Sequence, residues 1–185
     1  MMNGKQTGGN VSGQARAVLA GGAIAGVLDI LYAFVVYGPL SYGLTPVQVL
    51  QSVAAGWIGR EASRAGGFTT AALGLVTHFM IATIMAAVFV IAASRIKTLT
   101  AEAVVSGLLY GLVLYVAMNY VVVPLSAAHA SGHFAEGFAD AAERLTTAFG
   151  ALRPKDPWQL AGTIFTHTVF VGVPIALAAR HYLTR

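Results

Sequence analysis

The sequence predicts an all-α membrane protein with four transmembrane helices, made of a duplicated unit of helix, amphipathic outer helix and helix. Composition is the first observation behind this prediction: 57% of the 185 residues are hydrophobic and 10% are charged, whereas soluble domains have about a quarter charged residues. The second is the presence of four apolar stretches of at least 22 residues, since ~20 helical residues cross the ~30 Å hydrocarbon core of a bilayer.

The predicted transmembrane segments 1 to 4 cover residues 17–38, 68–93, 103–130 and 158–179. Asp29 is their only formally charged side chain. Backbone groups in hydrocarbon must bond within their own segment, which favours helices over open strands. Residues 1–16 predict a flexible N-terminal tail, and residues 17–185 a single transmembrane domain. Segment 1 is too long for the apolar region of a cleaved signal peptide.

The positions of the basic residues predict that both termini are cytoplasmic. Six Lys and Arg residues lie in the N-terminal tail, the short second connection and the C-terminus, and five lie in the two long connections beside five acidic residues. The positive-inside rule counts basic residues in short segments near helix ends. The net charge of +4 thus indicates membrane topology and gives no reason to expect a nucleic-acid partner. The absence of cysteine excludes disulfides, thiolate metal sites and Cys nucleophiles.

The two halves of the chain carry the same motifs in the same order, which predicts a duplication with repeats at about 17–95 and 102–181. At an offset of 85 residues, the recurring motifs are Gly22-x-x-x-Gly26 with Gly107-x-x-x-Gly111, and Pro39-Leu40-Ser41 with Pro124-Leu125-Ser126. At an offset of 89, Thr77-His78 recurs as Thr166-His167. Four extra residues in the second outer connection account for the difference between the offsets.

The four glycines of the GxxxG motifs, Gly22, Gly26, Gly107 and Gly111, predict close helix packing. Small residues let backbones approach closely in lipid, where apolar side chains gain little from one another. From the repeat symmetry we expect segments 1 and 3 to cross at these glycines. The alternative is that they form the contact of a homodimer.

Each outer connection is predicted to contain an amphipathic helix. Thr45 with Gln48 three residues later is a capping-box pattern, and Pro46 suits the first helical position. Apolar residues at helical spacing are Val47, Leu50, Val53, Trp57 and Ile58 in the first connection, and Phe134, Phe138, Ala141, Leu145 and Phe149 in the second. Such helices either cover the bundle or lie in the headgroup region. Trp57 and Trp158 are typical of interface anchors.

Three ionisable side chains are predicted near one level of the membrane. Asp29, His78 and His167 lie ten, ten and nine residues from the outer ends of their segments, or about 13–15 Å deep. An Asp at the centre of a membrane helix costs ~2.5–3.5 kcal/mol on insertion scales and usually faces the bundle interior with a partner. We therefore expect Asp29 to face inward, beside a histidine, Thr77/Thr166 or Tyr32. Asn119, at about 7.5 Å, is a shallower candidate.

Three hypotheses for this centre remain open. It is a buried polar network in a non-catalytic accessory or packing subunit of a membrane complex. Alternatively, it binds a proton, an ion or a small ligand for transport or sensing, since a carboxylate–imidazole pair suits proton transfer. In the third hypothesis, His78 and His167 hold a b-type haem, or a divalent metal together with Asp29. No motif identifies a reaction, which argues against an enzyme, and no cofactor is required.

A weaker metal-site hypothesis concerns the second outer connection. His129 and His133 are four residues apart, and Glu136 follows three residues later. On a helix, this spacing would place both imidazoles on one face, where they could ligate a metal. The hypothesis therefore requires the chain to be helical there.

Two stretches carry a resemblance to a known group of proteins. Residues 110–126 read YGLVLYVAMNYVVVPLS, and residues 26–32 read GVLDILY. Together they resemble small bacterial inner-membrane proteins of the YagU-like kind, over most of the chain from residue 17 onward. The resemblance implies a bacterial inner membrane and four spans. It implies no catalytic or binding residues.

Overall fold

The computed structural model describes the backbone of residues 4–184 and the side chains of residues 12–184. This part of the chain is mostly helical and contains no strand. Four helices are long and apolar enough to cross a membrane: Ser12–Val36, Gly67–Ala93, Ala103–Leu125 and Pro157–Leu183. They overlap the four predicted segments and confirm the prediction of a helical fold with four helices that are long and apolar enough to span a membrane.

In chain order, the helices are α1 (Gly4–Val36), α2 (Pro46–Ile58), α3 (Arg60–Ala65), α4 (Gly67–Ala93), α5 (Thr98–Ala101), α6 (Ala103–Leu125), α7 (Gly137–Phe149) and α8 (Pro157–Leu183). Predicted segment 3 is too long, because α6 ends at Leu125 rather than at Ala130. Helix α1 begins at Gly4, so residues 4–16, predicted to be a tail, continue the helix of segment 1.

Two of the long helices contain a π-helical turn, at Ala117–Val122 in α6 and at Thr166–Gly172 in α8. A proline follows each turn at the second position after it, Pro124 and Pro174. Proline lacks an N–H group, and its ring clashes with the carbonyl four residues earlier. Local π-helical turns accommodate such prolines in membrane helices. Helix α4 contains no proline and is α-helical throughout.

The chain folds as two compact units, and the boundaries between them fall within the four long helices. Unit 1 comprises Met1–Asp29, Phe79–Leu114 and Phe165–Arg185, and unit 2 comprises Ile30–His78 and Tyr115–Ile164. The core of unit 1 is rich in alanine: Ala17, Ala25, Ala86, Ala93, Ala103, Ala176 and Ala179 are all buried. Such small side chains allow helices to approach closely in lipid.

The GxxxG glycines lie in unit 1, but their nearest neighbours differ from the predicted ones. A Cβ atom at Gly22 of α1 would lie 2.9 Å from Cα of Thr83 in α4. One at Gly107 of α6 would lie 2.7 Å from Cα of Val173 in α8. The second glycine of each motif, Gly26 and Gly111, also faces α4 and α8 respectively. The prediction that segments 1 and 3 cross at these glycines is therefore wrong: they pack α1 on α4 and α6 on α8.

Unit 2 contains the predicted outer helices α2 and α7. At the start of α2 the capping box is present: the Thr45 backbone N–H donates to Oε1 of Gln48 at 2.8 Å, and the Gln48 N–H donates to the Thr45 hydroxyl at 3.3 Å. Helix α7 begins at Gly137, so Phe134 lies before the helix and not within it, contrary to the prediction. The Phe138 side chain is 90% exposed.

Candidate functional site

The predicted intramembrane carboxylate has a partner on another helix. The Thr166 hydroxyl donates a hydrogen bond to Oδ1 of Asp29, with an oxygen–oxygen distance of 2.9 Å. Both residues belong to unit 1. Thr166 is buried and Asp29 is half-buried. Because Thr166 is on α8, the bond shows that Asp29 is directed towards that helix, and Thr166 is among the partners expected from the sequence.

The local geometry of α8 at this bond is unusual. Thr166 is the first residue of the π-helical turn, and His167 is the second. The backbone of His167 lies so close to Gly111 of α6 that a side chain there would collide with its carbonyl oxygen. Single π-helical turns in α-helices occur frequently at functional sites. The Asp29 carboxylate therefore bonds to α8 where that helix departs from regular geometry.

The remaining sequence candidates belong to unit 2, whereas Asp29 and His167 belong to unit 1. The Asn119 amide donates to the backbone oxygen of Tyr115 at 3.0 Å, within its own helix. The Tyr32 hydroxyl lies against Gly162 of α8, where a Cβ atom would collide with it. His78 lies on α4. A shared centre of Asp29, His78 and His167 stays a prediction.

The haem hypothesis for His78 and His167 also stays a prediction. Both histidine residues take part in interactions within the protein. Over the described residues, no group of three or more His, Asp and Glu side chains has the geometry to hold a metal ion. A visible spectrum of the purified protein tests the haem hypothesis directly: a Soret band supports it, and its absence after expression with a haem precursor removes it.

The structure contradicts the assumption behind the metal-site hypothesis for His129 and His133. His129 and His133 lie in a non-helical segment between α6 and α7, so the helical face assumed for them does not exist. Gly132, between the two histidines, has a φ of +79°, a backbone conformation that favours glycine and interrupts a helix. His129 Nδ1 is 3.1 Å from the Ser131 hydroxyl, and His133 Nδ1 is 3.4 Å from Oε1 of Glu136.

A buried arginine near these histidines was missed by sequence reasoning. Arg144 of α7 donates through Nε to Oδ1 of Asp140 at 2.7 Å and through a terminal nitrogen to the His133 carbonyl at 3.0 Å. The bond from Arg144, with one from the Glu136 backbone, holds the pKa of Asp140 below its usual range. Burial, followed by the charge of Arg144, lowers the pKa of His129. The i, i+4 spacing of Asp140 and Arg144 is the signal that predicts this pair.

A buried polar network in the first outer connection was also missed. The Gln51 side chain of α2 is buried and donates to the Gly67 carbonyl at 3.0 Å. Its backbone oxygen accepts a 2.5 Å hydrogen bond from the Ser63 hydroxyl, and the Thr70 hydroxyl donates to the Ser63 carbonyl at 2.6 Å. These bonds hold α3 to α2 and to the first turn of α4. No sequence pattern pairs these three residues, since none of them recurs in the second half.

Comparisons of the chain with protein-family models, with curated proteins and with solved structures found no match. The Asp29–Thr166 bond is the part of the predicted centre for which the structure gives partners and geometry.

Proposed function

We propose that this chain is a multi-pass protein of a bacterial inner membrane, of the YagU-like kind, with both termini in the cytoplasm. In this proposal it moves protons or a small solute, or senses such a ligand, through a polar centre built on Asp29. The observation that carries the proposal is the hydrogen bond between Asp29 and Thr166 at the start of the π-helical turn of α8. An ionisable residue inside the membrane with a defined partner is by default a functional-site hypothesis.

The packing of unit 1 supports a duplication. Gly22 lies against Thr83, and Gly107 lies against Gly172. The glycines are 85 residues apart and their neighbours 89, which are the offsets obtained independently from the sequence motifs. The second glycines repeat both offsets, in the pairs Gly26–Phe79 and Gly111–Thr168. Two helix pairs descended from one ancestral pair would pack in this way.

The duplication provides an internal control for Asp29. Its repeat equivalent is Leu114, which is 6% exposed and belongs to the apolar core of unit 1. An apolar side chain thus satisfies packing at the equivalent position. The equivalent of Thr166 is Thr77, whose hydroxyl accepts a 3.0 Å hydrogen bond from Trp57. Because leucine cannot accept a hydrogen bond, the Asp29–Thr166 bond has no symmetry-related counterpart between Leu114 and Thr77, as expected for a functional group rather than for a packing requirement.

The chemistry of the pair suits a group that changes protonation. A hydroxyl donates to a carboxylate and can accept from a carboxylic acid. Thr166 can thus stay bonded to Asp29 in both protonation states. His167 adds an imidazole in the same turn of α8, and histidine is a common proton carrier near neutral pH. These properties support proton movement, or binding of a polar solute, at Asp29.

Proton flux into vesicles tests the proposal. We expect purified wild-type protein, reconstituted with an internal pH dye, to accelerate proton entry over empty vesicles under an imposed gradient. Asp29→Asn, Asp29→Leu and Thr166→Val should abolish most of this acceleration. Thr83→Val is the matched control, because the Thr83 hydroxyl donates to the Phe79 carbonyl of its own helix at 2.7 Å.

Thermal stability of the same variants separates function from packing. Because leucine fills the equivalent position, we expect Asp29→Leu to melt at or above the wild-type temperature in detergent. Two results together would instead favour the accessory or packing subunit. They are a melting temperature of Asp29→Leu below that of the wild type, and proton entry into vesicles with the wild-type protein that is no faster than into empty vesicles.

A further inference from the structure

Unit 2 contains a cavity of about 530 Å³ between the first outer connection and the end of α6. Its polar lining comes from α2 and α3: Gln48, Gln51, Ser52, Arg60 and Arg64. Its apolar lining is Leu44, Ala55, Val123 and Ala128. The volume is typical of small-molecule sites. The cavity has no part in the centre proposed around Asp29.

The charged side chains in this lining are two arginines, and no carboxylate is among the lining residues. Within the described residues, neither Arg60 nor Arg64 forms an ion pair, in contrast to Arg144 with Asp140. The two arginines are four residues apart on α3, a spacing at which like charges destabilise a helix. An anion between them would remove that repulsion. The lining therefore favours a negatively charged ligand.

The Arg60 side chain and the backbone of α3 are held in place by the structure around them. The Nε atom of Arg60 donates to the Ala128 carbonyl at 2.9 Å. Gly59, at the junction of α2 and α3, has a φ of +80°, and a Cβ atom there would be 2.7 Å from the Gly132 carbonyl. The chain thus turns there, between α2 and α3, at a position suited to glycine alone. With the bonds of Ser63 and Gln51, this turn fixes α3 before any ligand arrives.

We infer that this cavity binds a phosphate group, carried by a free organic phosphate or by a lipid headgroup. One guanidinium can occupy both oxygens of a carboxylate, whereas a phosphate has enough oxygens for two guanidinium groups and an amide. The Gln48 amide supplies that neutral donor, since its oxygen is taken by the Thr45 backbone N–H. The apolar side of the cavity accommodates the carbon chain beyond the phosphate.

Two binding measurements on the full chain test this inference and distinguish the sources. In neutral detergent, calorimetric titration with glycerol 3-phosphate measures the free ligand. Native mass spectrometry after transfer from micelles that contain phosphatidylglycerol or phosphatidylserine measures the lipid that stays bound. Both lipids carry a phosphate in the headgroup. We expect saturable one-to-one binding in at least one arm, and the positive arm identifies the source.

Arg64→Gln is the decisive variant, because Arg64 is exposed and its side chain makes no hydrogen bond or ion pair among the described residues. Loss of charge-assisted hydrogen bonds should weaken binding about tenfold or more. The matched control is Lys155→Gln, which removes one exposed positive charge from the second outer connection, outside the cavity lining. Absence of binding in both wild-type arms, or equal weakening by the two variants, would overturn the inference.

Discussion

Replacing Gly107 by alanine tests the close approach of α6 and α8. A Cβ atom there would lie 2.7 Å from Cα of Val173 and 2.8 Å from the Gly172 carbonyl, whereas ordinary van der Waals contact begins at about 3.4 Å. Both neighbours are backbone atoms, so the helices must separate by roughly 0.5–1 Å, enough to forfeit a quarter to a half of the contact energy between facing atoms. Overpacking of this kind costs about 1–3 kcal/mol.

Alanine also removes backbone freedom from the unfolded chain, which offsets roughly 0.5–1 kcal/mol of that cost in a helix. We therefore expect Gly107→Ala to lower the free energy of unfolding by roughly 0.5–2 kcal/mol. Gly111→Ala should be worse, since its neighbours are the backbones of His167 and Thr168 at shorter range. Unfolding by titration with a denaturing detergent, followed by circular dichroism, measures both variants.

Gly56→Ala in α2 is the matched control. The nearest atom to a Cβ at Gly56 is the Ser126 hydroxyl oxygen, at 4.0 Å. The substitution therefore fits, and we expect it to raise stability by about 0.5–1 kcal/mol. Equal effects of Gly56→Ala and Gly107→Ala, or a fully stable Gly111→Ala protein, would refute close packing of α6 on α8.

Two further predictions concern unit 2. Because Arg144 holds the pKa of Asp140 below its usual range, this carboxylate stabilises the fold above the unfolded pKa of about 3.9 and loses that effect as the pH falls through the lower folded value. At pH values below about 4, the melting temperature of the wild type should therefore decrease, and Asp140→Asn should make this decrease smaller. An unchanged pH profile in the variant would show that the Asp140–Arg144 pair does not stabilise the fold. Trp57→Phe removes the donor to Thr77 and should cost about 0.5–1.5 kcal/mol, whereas Trp158→Phe, at an exposed position, should melt like wild type.

The sequence was sufficient to predict four helices that could span a membrane, because this property requires only enough length and hydropathy in each helix. It does not require knowledge of which helices pack together. It was not sufficient for the partners of Gly22 and Gly107. A small residue indicates that another helix backbone comes close. Which helix comes close depends on the rotation of each helix about its axis, and the repeat symmetry does not determine that rotation. The motif offsets nevertheless reappear in the contacts, at Thr83 and Gly172.

The geometry around Asp29 required coordinates for a different reason. The sequence placed Asp29 and His167 at similar depth but could not choose among five partners for the carboxylate. The π-helical turns are implied only indirectly by Pro124 and Pro174, because proline predicts a disturbance of the helix without its form. His129 and His133 are a different case. Their spacing of four residues puts two side chains side by side on one face only in a helix, and the backbone conformation of Gly132 interrupts a helix there.

The two halves of the proposed repeat supply different structural features to the candidate centre: a carboxylate from the first half and a π-helical turn from the second. The first half supplies the carboxylate of Asp29 on a helix without a π turn, and its second long helix, α4, is regular throughout. The second half supplies both π-helical turns, and Leu114 replaces the carboxylate. The Asp29–Thr166 bond thus joins an acidic group found in one half to a widened turn found in the other. On the proposed duplication, neither half alone contains the candidate site, so the proposed activity would require the divergence of the two copies rather than their similarity.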